Sequence, residues 1–553
     1  MRGDTIMKNV RYIFVTMVMG LALSSCGDSF LTQYPEGGVL LQDQYEKLPD
    51  NLKGSIMGIY SKLYEYGGDH DTFGQRSIDM YGDIQSGDMA MKNSSYGWFE
   101  SYERGYFYAY ARGYIWSYYY DIINLANLGT LAVEEHAKDI FKAAVDEEEN
   151  PSETIKLQGY YYGQLLAIRG WAYAGLLNYY CDPMDVLKND KEHEPAVPVY
   201  TETEIKIPNL LGARRSSVAE VYNRVYEDLT TAIDLLDYYS RFNDRGSKKL
   251  EVNADIARII LAYAMLNHGD KYDRKFNEET ENAYDVALAL SAQVINSGRY
   301  PILPKAKLTT TGFADIQSEN WLWGQDVTVE TSTALASFFG QVDIHSYSYA
   351  AAGDTKAIDS KLYDEIVATG WDARADWFNP GGVAFAYCPT RKFFNPGTKD
   401  ITDLDKVDRN WLCDNIFMRV EEAYLIAAEA AWANGDESTA ASYLKQLCDE
   451  RVAEGKEAAY DAWVAGLSGE NLKSALIYNW RVEMWGEGFG LQTLRRLSKT
   501  NKLGTNHLSR SEQDATVLQG KHIQFQCEIP TAETRYNPFI GTTQLTNNTK
   551  SKY

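Results

Sequence analysis

Apolar residues recur every three to four positions along most of the chain, the mark of helices with one buried face. Leu52–Tyr66 is such a segment. Tyr114–Leu128 sets Ile115, Tyr118, Tyr119, Ile122 and Leu125 on one face. Ile155–Tyr180 keeps Leu165, Ile168, Ala172 and Leu176 in register. Ser217–Leu236 opens on a capping-type serine and carries Val221, Val225, Leu229, Ala232 and Leu236. Ala254–Leu266 and Ala283–Ile295 follow. Ile416–Asn434 presents Ile416, Val420, Tyr424, Ala427 and Ala431, with Gly435 placed to end it. Ser438–Glu454 continues after that short turn. From about 299 to 414 the helical period lapses, and Gly, Thr, Phe and Trp become frequent. Ser318–Val329 reads as a short strand there, and the rest as loops and small strands. Loops on a rigid helical frame are common binding places.

Helix pairs joined by short turns and rich in Ala, Tyr and Leu are similar to degenerate tetratricopeptide-type repeats. The expected fold is therefore mostly α, a scaffold of tetratricopeptide-like pairs at about 39–298 and 415–500. An irregular ligand-face subregion at about 299–414 completes one domain, 39–553. The chain has 553 residues, 45% of them hydrophobic and 13% aromatic, which supports a large core and excludes a disordered class. Net charge is −23. So acidic a surface repels phosphate backbones and anionic lipids, so nucleic acid is excluded as a partner.

Membrane attachment then needs another device, and the N-terminus supplies a candidate. Lys8 and Arg11 precede an apolar stretch, Tyr12–Leu23, too short to span a bilayer. Leu23-Ser24-Ser25-Cys26 follows and resembles the bacterial lipobox. Residues 1–25 read as a lipoprotein signal peptide, Cys26 as the lipidated residue and 26–38 as a tether. Five further cysteines have no close pairs, which argues against a disulfide framework or a zinc site. Cys448 reads as core filler.

Several segments resemble the SusD/RagB family of nutrient-binding lipoproteins. They are Cys26-Gly-Asp-Ser-Phe-Leu31 with Pro35, Gln164–Ala172, Arg215–Ala232, Met418–Ala430, and Ile529-Pro530 with Glu533 and Asn537. Their order after a lipobox carries the match. In Asn479–Leu497 the chain departs from that family: Trp480, Gly490 and Thr493 stand where Glu, Arg and Asp are usual. The departure predicts a weakened structural salt-bridge cluster. The resemblance implies a lipid-anchored protein on the outer surface of a Bacteroidetes-type outer membrane. It implies a lid over a SusC-like TonB-dependent transporter that receives captured oligosaccharides. A peptide-binding, RagB-like role is the alternative, and an α/α-barrel glycosidase or lyase is a more distant one.

Catalytic signatures are missing from the sequence. Seven histidines are scattered, with no HExxH, no GxxxxGK and no GxSxG. No enzyme activity, cofactor or metal is expected. Gly486, Gly488 and Gly490 mimic a phosphate loop but follow a helix, which removes the context such a loop needs. The informative feature is aromatic: thirteen aromatic residues lie between Tyr96 and Tyr120. Sugar C–H faces pack on flat rings. Tyr114, Tyr118 and Tyr119 fall on a helical face and belong to a core. Tyr96 and Trp98, beside Gly97 and small polar residues, fall in a loop and are the first ligand candidates. Tyr347 and Tyr349 in the Ser/Ala/Gly-rich run His345–Asp354 come second. Trp321 and Trp323 alternate on a strand and read as core before ligand contacts. Arg76, Asp83 and Asp88 are candidate hydrogen-bonding partners for hydroxyls, or else solvated surface.

Overall fold

A computed structural model describes residues 50–103, 109–133, 135–146, 152–181, 195–207, 210–242, 249–269, 274–276, 279–394, 412–498, 500–508 and 526–540. The expected signal peptide, Cys26 and the expected tether lie outside the described residues. Thirteen helices of nine or more residues are described. They are α1 (Asp50–Lys62), α2 (Gln75–Ser86), α3 (Ala109–Leu131), α4 (Glu135–Asp146), α5 (Glu153–Tyr180), α6 (Val218–Tyr239) and α7 (Ala254–His268). The others are α8 (Ala283–Asn296), α9 (Ser360–Ala368), α10 (Val420–Ala433), α11 (Glu437–Asp449), α12 (Glu457–Ala465) and α13 (Gly469–Glu483). The fold is mostly α, as expected from the period.

Local chemistry starts and stops these helices where the sequence says it should. Ser217 caps α6 in a capping box: its Oγ accepts from Glu220 N at 3.2 Å, and Glu220 Oε2 accepts from Ser217 N at 2.6 Å. Asn253 and Asn282 cap α7 and α8. Gly435 ends α10 with φ near +88°.

Helix packing runs as a chain of neighbours: α3 on α5, α5 on α6, α6 on α7, α7 on α8, α8 on α10 and α10 on α11. That order is the stacking of tetratricopeptide-like pairs. It closes α8 onto α10 although residues 297–419 intervene. Four glycines let α5 sit close to its neighbours, offsetting the roughly 1 kcal/mol that a mid-helix glycine costs. A Cβ at Gly159 would lie 2.4 Å from the Tyr239 ring, and one at Gly175 would lie 2.4 Å from the Tyr119 ring.

Strands are short and come in antiparallel pairs: β1 (Met89–Met91) with β5 (Lys356–Ile358), β2 (Arg274–Phe276) with β3 (Glu279–Glu281), and β4 (Trp321–Gln325) with β6 (Asn415–Arg419). The last pair corrects one expectation. Ile416-Phe417-Met418 extends a helical pattern on paper, but it pairs with β4, and α10 begins only at Val420. Pairing across the chain overrides local period. The irregular region also contains α9, which the composition hid. Helix α2 is buried almost all round: its polar residues Arg76, Ser77, Asp79, Asp83, Gln85 and Ser86 are buried along with Ile78, Tyr81 and Ile84, so polar positions there do not mark a solvent face.

An ionic cluster clamps this irregular region to the scaffold. Glu483 accepts from Arg374 Nη1 at 2.9 Å, Arg419 Nη1 at 2.7 Å and Arg451 Nη2 at 2.8 Å. Glu487 accepts from Lys392 Nζ at 2.8 Å and Arg419 Nε at 2.9 Å. Both carboxyls sit below the usual carboxylate range: burial pushes them up, and the surrounding cations outweigh it. The expectation of a weakened cluster is corrected here. Glu483 occupies the centre, and Trp480 instead stacks on Phe489 with ring centroids 5.4 Å apart.

Candidate functional site

Three loops converge beside α2. The first follows α1, where Gly74, at φ near +80°, passes so close to Leu63 that a Cβ would lie 2.1 Å from its carbonyl oxygen. Tyr66 and His70 project from this loop. The second is 92–99, which turns through Gly97 (φ near +86°) and Phe99 (φ near +67°). The third is 343–355, between a short helix and β5.

Asp354 joins the second loop to the third. Its Oδ1 accepts from Tyr96 N at 2.7 Å and its Oδ2 from Trp98 N at 3.2 Å. Ser95 N donates to Gly353 O at 3.2 Å, and Lys92 N to Thr355 O at 3.0 Å. The first loop is tied in from below. Gln341 Nε2 donates to His70 O at 2.7 Å, and buried Lys356 Nζ donates to Gln341 Oε1 at 2.8 Å. Burial pulls the Lys356 ammonium down to about 8, with Asp354 and Asp71 opposing.

This frame assembles an aromatic cluster. The His70 ring stacks on Trp98, centroids 5.4 Å apart and planes 20° from parallel. Tyr349 meets Trp98, His70 and Tyr96 edge-on at 5.9, 5.3 and 5.2 Å. Tyr66 meets His70 edge-on at 5.8 Å. His70 Nδ1 and Tyr349 Oη share a hydrogen bond of 2.7 Å. Trp98, His70 and Tyr349 are half-buried, whereas Tyr66, Tyr96 and Tyr347 are 49%, 58% and 76% exposed. The result is a braced aromatic surface with rings and hydroxyls open to a ligand.

Four candidates from the sequence, Tyr96, Trp98, Tyr347 and Tyr349, lie in these loops. The other five, Trp321, Trp323, Arg76, Asp83 and Asp88, do not. Trp321 and Trp323 are 0% and 2% exposed on β4, and Trp321 Nε1 donates to Gly312 O at 2.8 Å. Arg76 is buried, with Nη1 on Asp79 at 2.9 Å and its guanidinium 4.1 Å from the Phe338 ring centroid. Asp83 is buried too, and accepts from Gly486 N at 2.7 Å, Gly488 N at 3.2 Å and Gly490 N at 3.0 Å. The glycine-rich loop is thus an anion nest filled by the chain's own carboxylate. Asp88 is equally buried and holds Arg481. Neither aspartate nor Arg76 is solvated surface or part of the aromatic face.

His70, Tyr66 and Asp354 are additions from the structure. The run Tyr66-Gly67-Gly68-Asp69-His70 carries the same signal as Tyr96-Gly97-Trp98, aromatics beside glycine just outside a helix. Among the described residues no three His, Cys, Asp or Glu side chains could hold a metal ion. No helix there is long and apolar enough to cross a membrane.

Comparison with known proteins points one way. A family model described as starch-binding associating with outer membrane matches residues 49–261, and the model of the SusD family matches residues 330–549. No curated protein matches. A SusD-like carbohydrate binding protein from Bacteroides vulgatus is 20% identical, with a TM-score of 0.64 over 91% of this chain and 99% of that one. A SusD superfamily protein from Bacteroides thetaiotaomicron is 18% identical, TM-score 0.64, over 89% and 98%. Another from Bacteroides fragilis is 19% identical, TM-score 0.62, over 90% and 99%.

Proposed function

This chain belongs to the SusD/RagB-like family, and on that footing we propose that it captures oligosaccharides at the cell surface and passes them to a SusC-like TonB-dependent transporter in the outer membrane. The observation that carries the reading is the aromatic face built from Tyr66, His70, Tyr96, Trp98, Tyr347 and Tyr349. Exposed rings on a braced frame suit the C–H faces of sugars, and the tyrosine hydroxyls, with the imidazole of His70, suit their hydroxyls. The cluster contains no lysine or arginine, which suits an uncharged polyol better than an anionic ligand. Binding without chemistry is the expected role, since SusD-like proteins are binding proteins. Cys26 is the lipid anchor in this reading, and residues 39–553 act as one domain.

The test is two-part. Affinity electrophoresis through gels containing starch, fructan or mucin-type glycan should retard the soluble chain in at least one. Mild-detergent extraction of native membranes should recover a large β-barrel with it. Retardation by none of the glycans, with saturable binding of a peptide mixture instead, would move the reading to the peptide-binding branch.

A further inference from the structure

A second site lies inside the molecule, away from the three aromatic loops. A cavity of about 120 Å³ opens between α2, α3, α5, α7, the β4–β6 pair, the start of α10 and the loop after α13. Three carboxylates line it: Asp79, Glu422 and Glu487. Two are already matched. Asp79 accepts from Arg76 Nη1 at 2.9 Å and Gln75 Nε2 at 2.8 Å. Glu487 is held by Arg419 and Lys392. Glu422 is 3% exposed and enters no hydrogen bond or ion pair among the described residues. Asn267, also lining the cavity, has a buried Nδ2 without a hydrogen-bond partner.

The rest of the wall includes the aromatic side chains of Tyr119, Trp171, Tyr179, Tyr263, Trp323, Phe417 and Phe489. A buried carboxylate without a partner is expensive, and is relieved by a proton or by a cation. The acidic side chains do not cluster as metal ligands. Aromatic faces beside a carboxylate attract weakly hydrated organic cations. A cavity of about 150 Å³ is known to hold a benzene ring, so this one, at about 120 Å³, takes about five heavy atoms, the size of a quaternary ammonium head group.

We propose that this cavity is a binding site for a small organic ammonium ion, with its charge on Glu422 and its alkyl groups against the rings. The site is independent of the glycan reading. Burial pushes the Glu422 carboxyl well above the usual range, Glu487 and Asp79 add to this, and Arg419 opposes it. Arg76, Tyr119, Tyr179 and Tyr263 are the other titratable groups around the cavity. The ammonium therefore displaces a proton from Glu422 as it binds.

Calorimetric titration of the soluble chain with choline and with its uncharged isostere 3,3-dimethylbutan-1-ol tests this. Choline should bind at least tenfold tighter than the alcohol, with heats that vary with buffer ionisation as a proton is released. Its affinity should rise with pH. Glu422→Gln, isosteric and uncharged, should cost choline at least tenfold and abolish the proton release. No choline binding by the folded wild-type chain, or equal binding of the alcohol, would overturn the proposal. So would unchanged choline affinity in a folded Glu422→Gln variant.

Discussion

Replacing Asp354 with asparagine should loosen the aromatic face without unfolding the chain. Asp354 is fully buried and its two carboxylate oxygens take the amides of Tyr96 and Trp98. An amide side chain offers one oxygen, so one of those N–H groups would face an NH2 group instead. A hydrogen bond to a charged acceptor is worth about 1.5–3 kcal/mol. Both donors are in a surface loop, so the loss falls on local opening of 92–99 and not on the whole core. At about 1.4 kcal/mol per factor of ten, that is roughly a 10- to 100-fold rise in the open population. Hydrogen–deuterium exchange on peptides spanning 92–99 reads it directly, with the Tyr96 and Trp98 amides exchanging faster. Peptides from α5 and α6 should not change, and the melting temperature should move by only a few degrees. Unchanged exchange in 92–99 would refute the idea that Asp354 holds the loop. Faster exchange throughout the molecule would show that its role is global.

Other consequences can be checked separately. His507 is buried between Glu103 and Asp359, at 2.9 Å from each. Burial alone would lower its pKa, but those carboxylates raise it from 6.5 to about 9. A folded value above the unfolded one stabilises fully below about pH 6.5, and the gain is lost as pH rises through 9, on the order of 3 kcal/mol in all. The wild-type melting temperature should fall over that window and His507→Gln should flatten the fall; parallel curves would contradict the clamp. Glu483→Gln removes the hub of three arginines and should cost about 3–5 kcal/mol in a urea titration, as broken buried pairs do; a shift under 1 kcal/mol would show the cluster to be redundant. Mass spectrometry of the membrane-extracted protein should find a diacylated mature N-terminus at Cys26, and an unmodified one elsewhere would sink the anchor.

Helix order was readable because α6, α7 and α8 each carry both a 3.6-residue stripe and a capping residue. Reading stopped where burial is uniform or partners are distant. Helix α2 buries its polar residues together with its apolar ones, and β6 is a strand only because β4 lies across from it. The candidate site divides the same way. Tyr96 and Trp98 were legible because an aromatic next to glycine outside a helix has few places to hide. Asp354 and His70 were not, since their roles depend on contacts 256 to 279 residues apart in the chain. Arg76 and Asp83 misled because a charged side chain in sequence gives no sign of the buried partner, here Asp79 and the amides of Gly486, Gly488 and Gly490, that takes it out of solvent.

Trp98 is where the binding claim can be tested most directly. Its ring is half-buried, braced by His70 and Tyr349. Trp98→Ala should therefore cost stability by less than the roughly 3–5 kcal/mol of a core tryptophan. Titration with the glycan that retards the wild-type chain, paired with a melting curve, gives both quantities. A loss of about 1–3 kcal/mol in binding, or some 10- to 100-fold, is expected from a platform aromatic while the fold persists. Full glycan affinity in a folded Trp98→Ala variant would contradict the account and place the ligand elsewhere on the molecule.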